Sequence, residues 1–353
     1  MLIYKKYLEN HFEAKLEVQE LQDGVRLDQF IQDYLTSHSR EQIKKKIKAG
    51  ECKVLNRPAS NKSSTKLKHK DVIQVIIRRT SHEDEYWRGK LLDLERPTIV
   101  FEDDDLLAIN KPAFMSTHPT GKHLFNCATV YFENNLNLKT VHSIHRLDRE
   151  TSGVLLLAKN PPAANRYTEE FEKNNVKKCY MWIAKKQTYA KENNFIADEN
   201  LGNPYPGLKR VIVEAFPSDS NKGKIAKTTF KVLETNDSYS VGLAFPKTGR
   251  THQIRVHAKV HGHPLIGDKL YLGGYPLFQR FKDNVYSSED CDEVLAPRHF
   301  LHAFSIKIQG QTFHAPLGED MENFYLQNFN GNLENLFSKA KEAVEDYFNK
   351  DFK

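Results

Sequence analysis

The chain has 353 residues, enough for about two domains of ordinary size, with 39% hydrophobic and 28% charged residues. That composition excludes a disordered chain, a fibrous protein and a stapled miniprotein. The net charge of +6 is small for this length, so its distribution matters more than its total. Cys52, Cys127, Cys179 and Cys291 stand far apart with no Cys-x-x-Cys spacing, which provides neither a zinc ribbon nor a disulfide framework. Cys291 precedes His299 and His302, but no fourth ligand accompanies them, so no metal is expected. No stretch approaches the roughly 18 apolar residues of a membrane span, and the first twelve residues hold no apolar signal stretch. A cytoplasmic protein with free thiols and no membrane partner is the expectation.

Residues 1–23 read as an N-terminal extension. Between Gly24 and Thr80, fourteen Lys and Arg stand against five acids, which is +9 within 57 residues. Such a concentration suits a polyanion-binding module, although a solvated face accounts for charge alone equally well. Leu27, Phe30, Ile31, Tyr34 and Leu35 recur at helical spacing and predict a first short helix. Ser39 followed by Gln42 predicts a capping box, Ile43 and Ile47 face one side, and Gly50 ends a second helix. Arg40, Lys44, Lys45, Lys46 and Lys48 occupy its other faces, where they can span phosphates. Short strands are predicted at 53–55 and 72–77. Arg26-Leu-Asp28, Ser39-Arg40, Ile47-Lys-Ala-Gly50 and Asp71-Val-Ile73 resemble the small RNA-binding module named after a ribosomal small-subunit protein. The resemblance covers 24–80 and implies a small α/β RNA-binding module, with Arg26, Arg40, Lys44, Lys45 and Lys48 as RNA-binding candidates. The chain departs from that module at Leu55-Asn56-Arg57, where Val-Asn-Gly is usual, and at Lys70-Asp71, where Gly-Asp is usual.

The charged, aperiodic segment 81–96 reads as a linker, and a second domain runs over 97–330. Strands are predicted at 98–101, 106–109, 153–158, 178–184, 227–233, 238–244 and 304–308, with a proline-started helix over 161–174. Strands outnumber helices without regular alternation, so the fold class is α+β rather than doubly wound. Residues 198–225, rich in Asn, Pro, Gly and Ser, read as a long loop. The tail 331–353 places Leu333, Leu336, Phe337, Ala340, Val344, Tyr347 and Phe348 at helical spacing, an amphipathic helix that packs on its own domain.

Two segments concentrate polar chemistry. In His145-Arg-Leu-Asp-Arg-Glu-Thr-Ser-Gly153, Asp148 lies between Arg146 and Arg149, a setting that keeps a carboxylate ionised. Local spacing leaves it open whether Asp148 is a nucleophile or base, or a turn aspartate bonding its own backbone. In Thr248-Gly-Arg-Thr-His-Gln-Ile-Arg-Val-His257, Thr251 is a predicted cap for a helix running to about Val260, from which Arg255 can reach a carboxylate in another loop. A structural ion pair fits that pattern as well.

These segments, with Asn110-Lys-Pro112, His118-Pro119, Lys178-Cys-Tyr180, His263-Pro-Leu-Ile-Gly-Asp268 and Leu301-His-Ala303, resemble the RluA-type pseudouridine synthases over about 99–316. Phe114 stands where that family usually has glycine, and Thr117 where valine commonly precedes His-Pro. The resemblance implies an RNA pseudouridine synthase with a mixed, mostly antiparallel central sheet, acting without a cofactor. It also implies an aspartate-dependent cleavage of the glycosidic bond and re-attachment through a ring carbon. Asp148 would be the catalytic carboxylate, Tyr180 would lie over the uracil, and Arg255 would pair with Asp148. Arg146 would enter the RNA in place of the flipped uridine. The partner is RNA, with large-subunit ribosomal RNA favoured and transfer RNA open, and nothing asks for more than a monomer. A non-catalytic RNA-binding or assembly factor on the same fold is the competing reading.

Overall fold

The computed structural model describes residues 1–350 apart from 9, 36–37, 58–60, 80–83, 121–122 and 192–193. The start of the predicted 81–96 linker and the last three residues of the predicted tail lie outside the described residues. The chain divides into two compact units, Met1–Asp84 with His118–Leu138, and Glu85–Thr117 with Lys139–Lys353.

The first unit contains β1 (Leu2–Tyr7), β2 (His11–Glu17), α1 (Leu27–Tyr34), α2 (Arg40–Lys48), β3 (Cys52–Val54), β4 (Val72–Arg78) and α3 (Ala128–Asn135). Its antiparallel sheet has the order β1-β2-β4-β3. Residues 1–23 are therefore built into the sheet rather than set apart as an extension, because β2 pairs with β4 along its whole length. Alternation explains the pairing: Phe12, Ala14 and Leu16 of β2 turn inward beside Ile73, Val75 and Ile77 of β4. Leu27, Phe30 and Ile31 of α1 and Ile43 and Ile47 of α2 close this core, with Leu124 and Phe125 packed against it. The α2 capping box forms as predicted between Ser39 and Gln42. The two departures from the resembled module have local explanations. Lys70 takes φ +69, the left-handed region that glycine favours, and Arg57 forms a bidentate pair with buried Asp71.

The second unit begins with a hairpin of β5 (Tyr86–Trp87) and β6 (Lys90–Leu91), where the sequence suggested only linker. It continues through β7 (Thr98–Glu102), β8 (Leu106–Lys111), β9 (His142–Ser143), β10 (Ser152–Ala158), α4 (Pro161–Glu172), β11 (Lys177–Lys185), β12 (Phe195–Ala197), β13 (Asn200–Gly202) and β14 (Glu214–Phe216). Then come β15 (Thr228–Thr235), β16 (Tyr239–Pro246), α5 (Gln253–Val260), α6 (Gly274–Lys282), α7 (Ser288–Val294), β17 (Leu301–Ile308), β18 (Gln311–His314), α8 (Glu319–Asn328) and α9 (Leu333–Asn349). The main sheet runs β12-β15-β16-β11-β17-β10-β8-β7, with β18 beside β17 and β9 beside β10. Among the described residues only β10 and β17 pair in parallel, so the sheet is mixed and mostly antiparallel.

Along β11 the side chains alternate between two cores. Cys179, Met181 and Ile183 face α8 and α9, where Met321, Tyr325, Leu336, Ala340 and Val344 meet them. Tyr180, Trp182 and Ala184 face the other way, with Ile254 and Ala258 of α5. The predicted tail helix thus packs on the sheet of its own unit. Residues 198–225 are not a plain loop, for β13 and β14 pair and Leu201, Val213 and Ala226 form a small core with Val256, Leu270 and Tyr271. Its many Asn, Pro, Gly and Ser residues read as loop and masked the short strand pair.

Gly153, the second residue of β10 and five after Asp148, has φ +106, and a Cβ there would overlap the Ala303 carbonyl oxygen. Only glycine permits this crossing of β10 and β17. Gly153→Ala is expected to lower stability by about 2–4 kcal/mol in urea denaturation, from backbone strain and overpacking together. A loss below about 1 kcal/mol would show that the strands separate without penalty.

Candidate active site

Asp148 sits in the turn between β9 and β10, and that turn is fastened at nearly every residue. Thr117 Oγ1 accepts from the Leu147 N–H at 3.1 Å and lies 3.3 Å from the Leu147 carbonyl. Nζ of Lys111, fully buried, donates to the carbonyls of Pro112 (2.9 Å), Met115 (2.8 Å) and Arg149 (3.3 Å). Glu150 takes Lys269 Nζ at 2.9 Å and the His299 N–H at 3.2 Å. Thr151 Oγ1 meets His299 Nε2 at 2.8 Å, and Ser152 Oγ meets His302 Nδ1 at 2.9 Å. The two histidines that followed Cys291 in sequence are thus engaged with the turn. At Phe114, where the resembled family carries glycine, φ is +63, so a larger residue keeps a glycine-like turn. The Arg149 guanidinium lies 5.7 Å from the Phe114 ring centre.

The carboxylate of Asp148 meets α5. The N-cap of that helix is His252 at φ +56 rather than Thr251, because the left-handed turn at His252 delays the helix by one residue. Arg255, one turn in, is buried and donates through Nε to Asp268 Oδ2 (2.6 Å) and through Nη2 to Asp268 Oδ1 (2.9 Å). Its remaining Nη1 donates to Asp148 Oδ2 at 3.2 Å. Oδ1 of Asp148 accepts no hydrogen bond among the described residues, and the side chain is 32% exposed. One oxygen is therefore anchored and the other open.

The electrostatics follow from this geometry. Burial raises the Asp148 carboxyl, but the charge of His252 and His299, present only in acid, and the charge and hydrogen bond of Arg255 outweigh it and hold the carboxyl below its ordinary range. Burial also pushes His252 down to about 4 and lowers His299, so near neutral pH the cation facing Asp148 is Arg255. Burial opposes the charge on Arg255, yet Asp268 overcomes this and raises its pKa. Tyr180, on the α5 face of β11, is raised by burial and then by the Asp148 charge, so its phenol keeps its proton. His145 accepts from the Leu156 N–H at 3.0 Å and stacks on Phe171, and burial pushes it down to about 3.

Asp148, Tyr180 and Arg255, far apart in sequence, thus come to one place. Arg146 is exposed and holds no ion pair among the described residues. In the first unit, Arg26 (3.0 Å) and Arg40 (3.1 Å) both bind fully buried Asp28, while Lys44, Lys45 and Lys48 are exposed. Asp268, Glu150, His252 and Lys111 belong to the site's framework, and sequence reasoning assigned them no role. Their place inside the two polar-dense stretches and the Asn110-Lys-Pro112 and Gly267-Asp268 motifs was the available signal.

The RNA pseudouridylate synthase family matches residues 105–259. Ribosomal large subunit pseudouridine synthase D of Vibrio vulnificus is 32% identical over 322 residues, covering 86% of this chain and 91% of that protein. The mitochondrial tRNA pseudouridine(32) synthase of Saccharomyces cerevisiae is 33% identical over 251 residues, 70% of this chain and 50% of that protein. Among solved structures, human RNA pseudouridylate synthase domain containing 4 matches with a TM-score of 0.54 at 22% identity, over 65% of this chain and 92% of that one, which is a likeness of fold. The chain belongs to the RNA pseudouridine synthase family, and it is an enzyme that isomerises uridine in RNA. Among the described residues no helix is long and apolar enough to cross a membrane.

Asp268, held at about 2 although burial opposes its charge, is the counter-ion on which Arg255 depends. Its contribution to stability is complete above the ordinary carboxyl value of about 4 and is lost as pH falls through about 2. Asp268→Asn is expected to lower stability at pH 7 by about 3–5 kcal/mol and to flatten the acid dependence between about pH 4 and 2, measured by urea titration. An unchanged acid limb would place the responsible carboxylate elsewhere.

Proposed function

We propose that this enzyme converts specific uridines of large-subunit ribosomal RNA to pseudouridine, with Asp148 as the catalytic carboxylate. The observation that carries the chemistry is the division of labour on Asp148, whose Oδ2 is bound by Arg255 while Oδ1 is open. A carboxylate kept ionised and oriented this way can attack either the ribose anomeric carbon or the uracil ring. The C1′–N1 bond then breaks, the ring turns, and C1′ joins C5 as Asp148 is released. Tyr180 stacks on the uracil while the C5 proton passes to the freed Asp148 carboxylate or to water, and a phenol that keeps its proton supplies a ring face and a donor rather than the base. Arg146, exposed two residues before Asp148, enters the helix where the flipped uridine was.

The ribosomal target is supported by relatives that cover both chains nearly end to end and carry that target in their names. The transfer-RNA reading has a relative matching half its own length. We read the first unit as an RNA-binding module in which Lys44, Lys45 and Lys48 of α2 contact phosphates and Arg26 and Arg40 add to the same face from their Asp28 anchor.

Asp148→Asn should abolish pseudouridine formation while leaving folding and RNA affinity nearly intact, and appreciable turnover would sink the assignment. Pseudouridine mapping of ribosomal and transfer RNA, from cells lacking the protein and cells carrying only Asp148→Asn, should lose the same large-subunit site or sites in both. Replacing Lys44, Lys45 and Lys48 together by Gln should reduce the slope of log affinity against log salt by about 2. An unchanged slope would remove α2 from the RNA interface. Removing the first 80 residues is a poorer test, since Leu124 and Phe125 pack against that core.

A further inference from the structure

His252 has no part in the reaction as proposed, yet it faces the same carboxylate. Its φ of +56 is one that side chains rarely adopt, and its side chain is only 13% exposed. Nε2 lies 3.9 Å from Asp148 Oδ2, beyond hydrogen-bond reach, so the ring borders the site without bonding the carboxylate. Nδ1 lies 2.8 Å from the buried hydroxyl of Tyr271, and that hydroxyl accepts from the Val213 N–H at 3.1 Å. Among the described residues His252 Nδ1 is the one acceptor in reach of the Tyr271 proton. The phenol therefore donates to Nδ1, and the ring proton is left on Nε2, toward Asp148. The ring is held edge-on against Tyr271, with centroids 5.6 Å apart at 80°.

We propose that His252 donates its Nε2–H to a carbonyl oxygen of the target uracil, with Tyr271 and Val213 setting the tautomer. This rests on Asp148 being the catalytic carboxylate. When the C1′–N1 bond breaks, its electron pair stays on the uracil and spreads over N1 and the carbonyl oxygens. A fixed N–H donor there stabilises the charge as it develops. The pair is drawn on again as C1′–C5 forms, the C5 proton leaves, and N1 takes up a proton. His252 makes and breaks no covalent bond, and its own proton stays on Nε2.

The ring acts uncharged. Burial and Arg255 on α5 press it down to about 4. Asp148 from its turn and Asp268 from the segment after α5 act the other way, and His299 ahead of β17 acts with Arg255.

Single-turnover pseudouridine formation and RNA affinity would be measured for wild type, His252→Gln, His252→Leu, Tyr271→Phe and Asp148→Asn. His252→Leu should slow the reaction by about 10²–10³-fold with RNA affinity within about threefold. His252→Gln, which keeps a donor of similar reach, should recover most of that rate, and Tyr271→Phe should lose about tenfold. The wild-type rate should show no break between about pH 5.5 and 8.5 that His252→Gln removes. A wild-type rate in His252→Leu, no rescue by Gln, or a His-dependent break near pH 6.5 would each overturn the proposal. If His252→Leu does not fold, by its melting transition, Tyr271→Phe decides, and a wild-type rate there overturns it. An inactive Asp148→Asn beside a fully active His252→Leu refutes only the role of His252. An active Asp148→Asn removes the reading beneath it.

Discussion

The guanidinium of Arg255 is shared between two carboxylates, and the rest of the catalytic unit is organised around that sharing. A buried arginine loses its hydration, and two donors aimed at Asp268 restore most of what it loses. Because that pair already fixes the planar fork, the third donor points at Asp148 without further ordering. Asp148 thus receives a cation whose position is set by a different residue. The Asp148 carboxylate stays one-third exposed, while the group that orients it is sealed in the interior.

The backbone around Asp148 obeys the same separation. Lys111, Thr117, Lys269, His299 and His302 hold the residues on either side of Asp148, each through a main-chain group or a neighbouring side chain. These contacts come from β8 and the segment after it, from the segment after α5, and from β17 and the residues just before it, so the turn is tied to the strands that flank β10 among others. A side chain that must act in a defined direction is carried by a loop, and the loop borrows its rigidity from the sheet. The glycine at 153 belongs to this arrangement, since it allows β10 to lie against Ala303 where β10 and β17 pair in parallel.

In the first unit, charge divides into two kinds. Arg26 and Arg40 converge on a fully buried Asp28, whose carboxyl they hold below its ordinary range through Arg26 first and against the effect of burial. Lys44, Lys45 and Lys48 stand in solvent on a helix anchored by Ile43 and Ile47. The excess of +9 seen in the sequence is thus partly structural and partly free for a polyanion.

Much of this was legible in the residues. Short apolar runs marked most strands of the main sheet, the Ser39 and Gln42 pair marked the start of α2, and the apolar spacing of the tail marked α9, because each of these signals is local. The two polar-dense segments marked Asp148 and Arg255, and the resemblance they carried marked the chemistry. What the sequence could not show is what depends on residues distant along the chain. The place of residues 1–23 in a sheet depended on β4 more than fifty residues later, and the core of 198–225 needed Leu270 and Tyr271. The choice of Asp268 as the principal partner of Arg255, and the hydrogen bonds from Val213 through Tyr271 to His252, required side chains to meet in three dimensions. Sequence by itself determined which groups were present and which elements carried them. Tertiary structure alone decided which oxygen is bound and which is open, because these are properties of contact distance and not of order along the chain.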